Sequence, residues 1–305
     1  MSAFLQALHS GRVLLMDGAM GTELIRAGLP LGEVCESWNL THPERVQAVH
    51  QAYVDAGAEV LLTNTFQANP VALGRHGLED QLELVHGAAV SIAKCARRPT
   101  GFVLVDVGPL PVEIGRNEPR IRKWFEDIVR SSRDADGFLL ETYSGWMANS
   151  AVRFLLELRG AFSHSRHLPV LISFAYEPPL DQFYSTLDGQ EPETMAHWAE
   201  KSGVAALGVN CGRDIDMDDI IEIVRRYRAE TDLPLFARPN AGTPTKQGEQ
   251  WIYPHTPEAM AARLPELLEA GVSMVGGCCG TTPAHIAAFR AVIDTWNCGR
   301  TEPRP

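Results

Sequence analysis

Eight short apolar runs punctuate the chain: VLLMD (13–17), VLLTN (60–64), FVLVDV (102–107), GFLLE (137–141), VLISF (170–174), ALGVN (206–210), LFARP (235–239) and SMVGG (273–277). Each has strand length and is almost continuously apolar, as strands are in a sheet covered on both faces. Between them lie longer stretches with apolar residues at helical spacing, such as THPERVQAVHQAYVDAG, EDQLELVHGAAVSIAKCA and MDDIIEIVRRYRAE. Strand and helix alternate eight times, which predicts an α/β fold, a single-domain (β/α)8 TIM barrel. A doubly wound open sheet uses the same alternation. The strand count and the lack of G-x-G-x-x-G after the first run favour the closed form. The barrel is expected over residues 1–297, with the polar, Pro-rich 298–305 as a disordered tail.

Local signals add detail. Thr41, with Glu44 three residues on, reads as a capping box opening the first long helix. Thr256-Pro257 and Thr282-Pro283 read as N-cap followed by proline at the first helical position. Pro265, inside a helical pattern, is expected to kink or split it. Residues 177–193 form the longest loop, a lid or substrate wall.

Composition narrows the class. Of 305 residues, 45% are apolar and 21% charged, ordinary for a globular chain. A net charge of −11 without a basic run speaks against nucleic-acid or anionic-membrane partners. No apolar stretch is long enough for a membrane helix, and the N-terminus lacks a signal-peptide pattern, so a cytoplasmic location is expected. There, structural disulfides are rare and cysteines more often serve metals or catalysis.

In a barrel, reactive groups stand at the C-terminal ends of strands. Cys211 follows strand six directly, and Cys278 and Cys279 follow strand eight, with only strand seven between. The three thiols are expected at one rim, where Zn²⁺ takes three sulfurs and keeps a fourth position open. Gly276, Gly277 and Gly280 would let the backbone turn so that adjacent cysteines both ligate. Cys35, Cys95 and Cys298 lie elsewhere and read as packing or surface thiols. A zinc with three thiolates is a soft host for a fourth sulfur, whose thiol it deprotonates near neutral pH. The chemistry this suggests is S-alkylation.

MDGAMGTEL, LTNTFQAN, LLET, GVNC, RPNAG and VGGCCGTTPAHI together resemble the homocysteine S-methyltransferase family, from residue 13 to about 290. The resemblance implies a (β/α)8 barrel, zinc held by Cys211, Cys278 and Cys279, and methyl transfer to homocysteine to give methionine. It also implies that the Gly18–Ala19 backbone takes the amino acid's carboxylate and that Asp17 and Glu141 take its ammonium. The competing reading has Asp17 capping its turn and Glu141 pairing with a neighbouring cation. Asn240, at the end of strand seven, is a candidate donor to a thiolate or transient ligand, or simply holds its own turn. Asn64 and Thr65 either line the pocket or satisfy loop backbone. His42, His50, His86, His197 and His285 read as structural or solvated.

The methyl donor is less defined. A cationic donor would favour aromatic faces, for which Trp38, Phe66, Tyr143, Trp146, Tyr176 and Tyr184 are candidates. Betaine-using members carry aromatics where this chain has Gln67 and Thr142, which disfavours betaine. The motifs are most similar to the homocysteine module of cobalamin-dependent methionine synthase, yet a length of 305 suits a freestanding enzyme using S-methylmethionine or S-adenosylmethionine. The segment 106–119 is shorter than its family counterpart. Alternatives are a homocysteine-activating subunit served by a separate corrinoid protein, and a non-catalytic zinc-binding barrel. A third is a phosphate cradle at GGCCGTTP. Nothing in the pattern sets the oligomeric state.

Overall fold

The computed structural model of the chain describes residues 1–109, 111, 117–180, 183–248 and 250–301. All eight expected strands form: β1 (Leu14–Leu15), β2 (Val60–Leu62), β3 (Phe102–Val107), β4 (Gly137–Tyr143), β5 (Val170–Phe174), β6 (Ala206–Asn210), β7 (Leu235–Arg238) and β8 (Val272–Val275). They pair in parallel, each with its neighbour in sequence, and β8 returns to β1 with Leu14 opposite Met274. A parallel bridge between Met16 and Val60, with Asp17 N donating to Val60 O at 2.9 Å, joins β1 to β2. The sheet therefore closes into a barrel, and the open-sheet alternative falls away.

Side chains alternate across each strand, so every second residue points into the cylinder. Leu14, Met16, Val60, Leu62, Phe102, Leu104, Leu139, Leu171, Ala206, Phe236 and Met274 fill the interior. A Cβ at Gly208 would sit 2.4 Å from the Phe236 ring, so glycine on β6 gives that ring its room. The N-terminal helix Ala3–Leu8 plugs the floor, with Phe4 edge-on to Phe102 at 5.2 Å between ring centroids. A second, larger apolar layer lies between the outer strand faces and the ring of helices.

Several local expectations are corrected. His42, not Thr41, is the N-cap of Pro43–Asp55, and no side chain caps it. Thr41 ends the preceding turn Trp38–Thr41, and its hydroxyl donates back to Ser37 O at 3.1 Å. A true capping box stands at Asp216–Asp219. The helix Pro257–Glu269 runs unbroken through Pro265, and Thr256 caps it as expected. Buried Met260, Leu264, Leu267 and Leu268 hold both sides of the proline, and packing overrides the local helix penalty. Residues 177–193 are not a plain loop. They form an antiparallel hairpin, Glu177–Leu180 with Phe183–Ser185, before the helix Pro192–Ser202. A second hairpin, Thr245–Gln247 with Gln250–Ile252, follows β7. The last helix, Pro283–Thr301, runs past residue 297 into the expected tail; residues 302–305 lie outside the described residues. So do residues 110 and 112–116 of the segment noted as short. Among the described residues no helix is long and apolar enough to cross a membrane.

Candidate metal centre and adjoining pocket

The inward-facing rows change character at the C-terminal end of the strands. On β3, Phe102 and Leu104 give way to Asp106; on β4, Leu139 to Glu141; on β5, Leu171 to Ser173; on β7, Phe236 to Arg238. The top layer of the interior is thus polar and charged while the layers beneath it are dry.

The three predicted thiols meet there. The sulfurs of Cys211, Cys278 and Cys279 all lie within 4.8 Å of one another, with Cys211 Sγ 4.0 Å from Cys279 Sγ. Three sulfurs on a tetrahedral zinc, each at about 2.3 Å, would stand about 3.8 Å apart. No other group of three His, Cys, Asp or Glu among the described residues comes together this way. Backbone bonds fix the arrangement: Cys211 N donates to Arg238 O at 3.3 Å, Cys278 N to Pro239 O at 2.9 Å and Ala241 N to Cys279 O at 2.9 Å. Cys211 holds a left-handed φ of 54°, a strained conformation for a non-glycine residue of the sort that collects at functional sites. The glycines divide their work differently from expectation. Of the three near the cysteine pair, Gly280 alone takes a positive φ, 79°, and a Cβ there would strike the Tyr253 ring at 2.1 Å. Gly276 and Gly277 instead permit close approach, to Asp17 O and to the Thr281 side chain.

Two asparagines aim N–H groups at the sulfurs. Asn210 Nδ2 lies 3.8 Å from Cys278 Sγ, and Asn240 Nδ2 lies 3.7 Å from Cys211 Sγ. Asn240 Oδ1 is buried beside the cluster without a hydrogen-bond partner, an acceptor that a cation would satisfy. The thiols cannot all ionise unaided. Hydrogen bonds from Cys278 and then Cys279 draw the Cys211 thiol down to about 3. The same contact with Cys211 pushes Cys278 up to about 12, and Cys279 is raised too. The donor set fits a soft divalent cation, which would allow three thiolates where crowding otherwise favours one.

Beside the sulfurs, Arg238 links the predicted acids. Its Nη1 donates to Glu141 Oε1 at 2.6 Å, and its Nη2 to Asp17 Oδ1 at 3.2 Å and Gly18 O at 3.3 Å. Its Nε donates to Gly277 O at 3.1 Å. Asp17 Oδ2 also accepts from Leu62 N at 2.8 Å. Burial raises both carboxyls to about 7, against the pull of Arg238, and raises Asp106 well above the ordinary range. Burial likewise opposes the Arg238 charge, and Glu141 and Asp17 outweigh it. Three buried carboxyls thus face one guanidinium.

Ala19 N donates to the Thr281 hydroxyl at 3.1 Å, and Tyr53 OH donates to Ala19 O at 2.7 Å, so the Gly18–Ala19 turn is seated on the start of the last helix. Asn64 and Thr65 satisfy backbone: Asn64 Nδ2 donates to Cys35 O at 2.9 Å and Thr65 Oγ1 to Asp106 O at 2.6 Å. The Tyr143 hydroxyl is spent on Gly108 O, Tyr176 on Tyr227, and Tyr184 on Asp219. Trp38 is buried under Arg45, 5.0 Å from its ring. The aromatic ring at the sulfurs is Tyr253, absent from the expected set. Burial, then the neighbouring sulfurs, raise its hydroxyl to about 12. His50 and His86 are buried and held neutral, near 4. Arg238, Asp106 and Asn210 also escaped the sequence reading, although counting in twos along β3, β6 and β7 from the interior residues reaches each of them.

Comparisons with known proteins agree with this geometry. A family model described as homocysteine S-methyltransferase matches residues 14–293. Methionine synthase of Mycobacterium tuberculosis (strain ATCC 25618 / H37Rv) is 32% identical, over 93% of this chain and 25% of its own length. Methionine synthase of Mycobacterium leprae (strain TN) is 33% identical, over 96% of this chain and 25% of its own. The chain spans about a quarter of the length of these curated relatives. Among solved structures, the metallated form of the homocysteine methyltransferase MmuM from Escherichia coli matches with a TM-score of 0.72 at 27% identity, covering 93% of this chain and 99% of that one. The carboxyl transferase domain from Rhizobium etli pyruvate carboxylase, at 14% identity and a TM-score of 0.51, shares the fold alone.

Proposed function

The chain belongs to the homocysteine S-methyltransferase family, and from that premise we propose that it methylates the sulfur of homocysteine to form methionine, using Zn²⁺ held by Cys211, Cys278 and Cys279. The observation that carries the reading is the meeting of three sulfurs at one mouth of the barrel, next to a buried carboxylate pocket. Zinc held by three thiolates would stabilise an incoming thiol as its thiolate near neutral pH while withdrawing little of its nucleophilicity.

The chain's own residues do the rest. Asn210 and Asn240 direct N–H groups at two of the sulfurs and tune their charge. The excess of carboxyls over Arg238 suits a cationic ammonium. The carboxylate at the other end of the same amino acid falls to the Gly18–Ala19 turn, where the Ala19 N–H leaves the Thr281 hydroxyl to meet it; that hydroxyl itself donates to Cys278 O. Holding both ends aims the sulfur, and alignment of sulfur, methyl carbon and leaving atom supplies much of the rate. No side-chain base is required. A reducing, cytoplasmic setting keeps the three thiols free.

S-methylmethionine or S-adenosylmethionine is the favoured donor. Betaine is disfavoured by Gln67 and Thr142, the latter pinned at φ 64° by Asn210 rather than offering an aromatic face. A second reading, in which a separate corrinoid protein delivers the methyl group, rests on the resemblance of the motifs to the homocysteine module of cobalamin-dependent methionine synthase, and the methionine synthase relatives are in keeping with it. Zinc-loaded protein with homocysteine is offered S-methylmethionine, S-adenosylmethionine, betaine, dimethylsulfoniopropionate and methylcobalamin in turn, and methionine is measured. Methionine from a sulfonium donor supports the first reading, and from methylcobalamin alone the second. Bound zinc without turnover on any donor would make the barrel a scaffold.

A further inference from the structure

Asp106 is a buried carboxyl that the reaction as described leaves idle. It stands on β3 opposite Leu139 of β4, and Glu141 is the next inward residue along β4. Two buried threonines clamp its backbone. Asp106 N donates to Thr63 Oγ1 at 3.0 Å, Thr65 Oγ1 donates to Asp106 O at 2.6 Å, and the two hydroxyls bond each other at 2.6 Å. The backbone there is therefore fixed, and the residue is 5% exposed. Its Oδ1 is buried and has no hydrogen-bond donor among the described residues. An unsatisfied buried acceptor is destabilising, more so when charged, so such an atom calls for a partner.

Arg238 is not that partner: four of its five N–H groups go to Gly277 O, Glu141, Asp17 and Gly18 O, and none reaches Asp106 Oδ1. Asp17 is similarly committed, one oxygen to Arg238 and the other to Leu62 N. Glu141 is instead a like charge that, after burial, pushes the Asp106 carboxyl further up. Two adjoining carboxyls, one with an acceptor that no donor reaches, match a group that brings several N–H donors and positive charge, as an ammonium does. We propose that Asp106, together with Glu141, holds the ammonium of the acceptor amino acid, while Asp17 acts through Arg238 as a positioning residue. Asp106 then selects α-amino thiols over thiols that lack the amino group. This rests on the reading of homocysteine as substrate.

The test is calorimetric binding to the zinc-loaded full chain, which needs no turnover. Native protein, Asp106→Asn and Asp106→Ser are titrated with homocysteine and with 4-sulfanylbutanoate, its analogue without the amino group. Zinc content and melting temperature are recorded for each. Loss of one charge-assisted hydrogen bond should weaken homocysteine about tenfold or more in both variants. Affinity for 4-sulfanylbutanoate and zinc content should stay unchanged. Homocysteine binding within about twofold of native, or an equal loss for both thiols, would overturn the role of Asp106. Native protein that binds neither thiol would instead overturn the substrate reading itself.

Discussion

Arg238 on β7 and Glu141 on β4 form a 2.6 Å ion pair across the mouth of the barrel, both nearly inaccessible to solvent. Strands seven and four are far apart around the ring, so this contact spans the polar top layer and braces it. Removing the cation would leave Asp17, Glu141 and Asp106 buried without compensation. Arg238→Met is expected to cost about 3–5 kcal/mol at pH 8 in urea denaturation, and less at pH 5.5, where the carboxyls take protons instead. A loss below about 1 kcal/mol at pH 8 would mean that the pair contributes little.

Asn210 connects the strained backbone at Thr142 to the sulfur of Cys278. Its Oδ1 accepts from Ser173 Oγ at 2.7 Å and from Thr142 N at 3.2 Å, and its Nδ2 donates to Thr142 Oγ1 at 2.7 Å and faces Cys278 Sγ. Asn210→Ala is expected to lower zinc affinity about 10–100-fold, read by competition with a chromogenic chelator. Unchanged affinity would reduce Asn210 to a backbone brace.

These residues show what was legible in the sequence. The eight strands could be read because apolar runs on a doubly covered sheet announce themselves. The cysteines could be read because they stand immediately beyond strands six and eight. Arg238 and Asp106 were hidden inside the same runs, LFARP and FVLVDV, where one charged residue looks like an interruption. Only the parity of the interior shows that both point inward. The hairpin at 177–185 was hidden by Pro178 and Pro179, which speak against a strand. A two-stranded ribbon consists entirely of edges, so its prolines remove no central ladder bond. Thr41 matched the capping pattern, but tertiary packing placed it in the preceding turn.

Glu36 offers a pH test away from the three sulfurs. Its carboxyl is buried, accepts from Gln67 N at 2.6 Å through Oε1, and leaves Oε2 without a partner. Burial raises it to about 7, opposed by the backbone N–H groups it meets. Because the folded state holds this proton more tightly than the unfolded chain, its stabilisation is complete below about pH 4 and fades as pH rises through about 7. Glu36→Gln abolishes the titration. Its stability relative to native should therefore rise between pH 5 and pH 8, by something on the order of 3 kcal/mol. Urea denaturation curves for the two proteins that stay parallel across that range would refute the assignment.

Cys211→Ala, Cys278→Ala and Cys279→Ala should each lose stoichiometric zinc and methyl transfer while keeping the circular dichroism of the barrel. Because the strands and their packing do not depend on the ion, folded protein without metal is the expected state. Retention of tightly bound zinc by any one of them would show that its sulfur is not a ligand.

Zinc-edge X-ray absorption on the loaded protein, with and without homocysteine, examines the sulfur site most directly. Three sulfur neighbours and one light atom are expected alone, changing to four sulfurs when homocysteine is added. Fewer than three sulfurs in the resting protein, or a coordination shell that homocysteine leaves unaltered, would contradict the account.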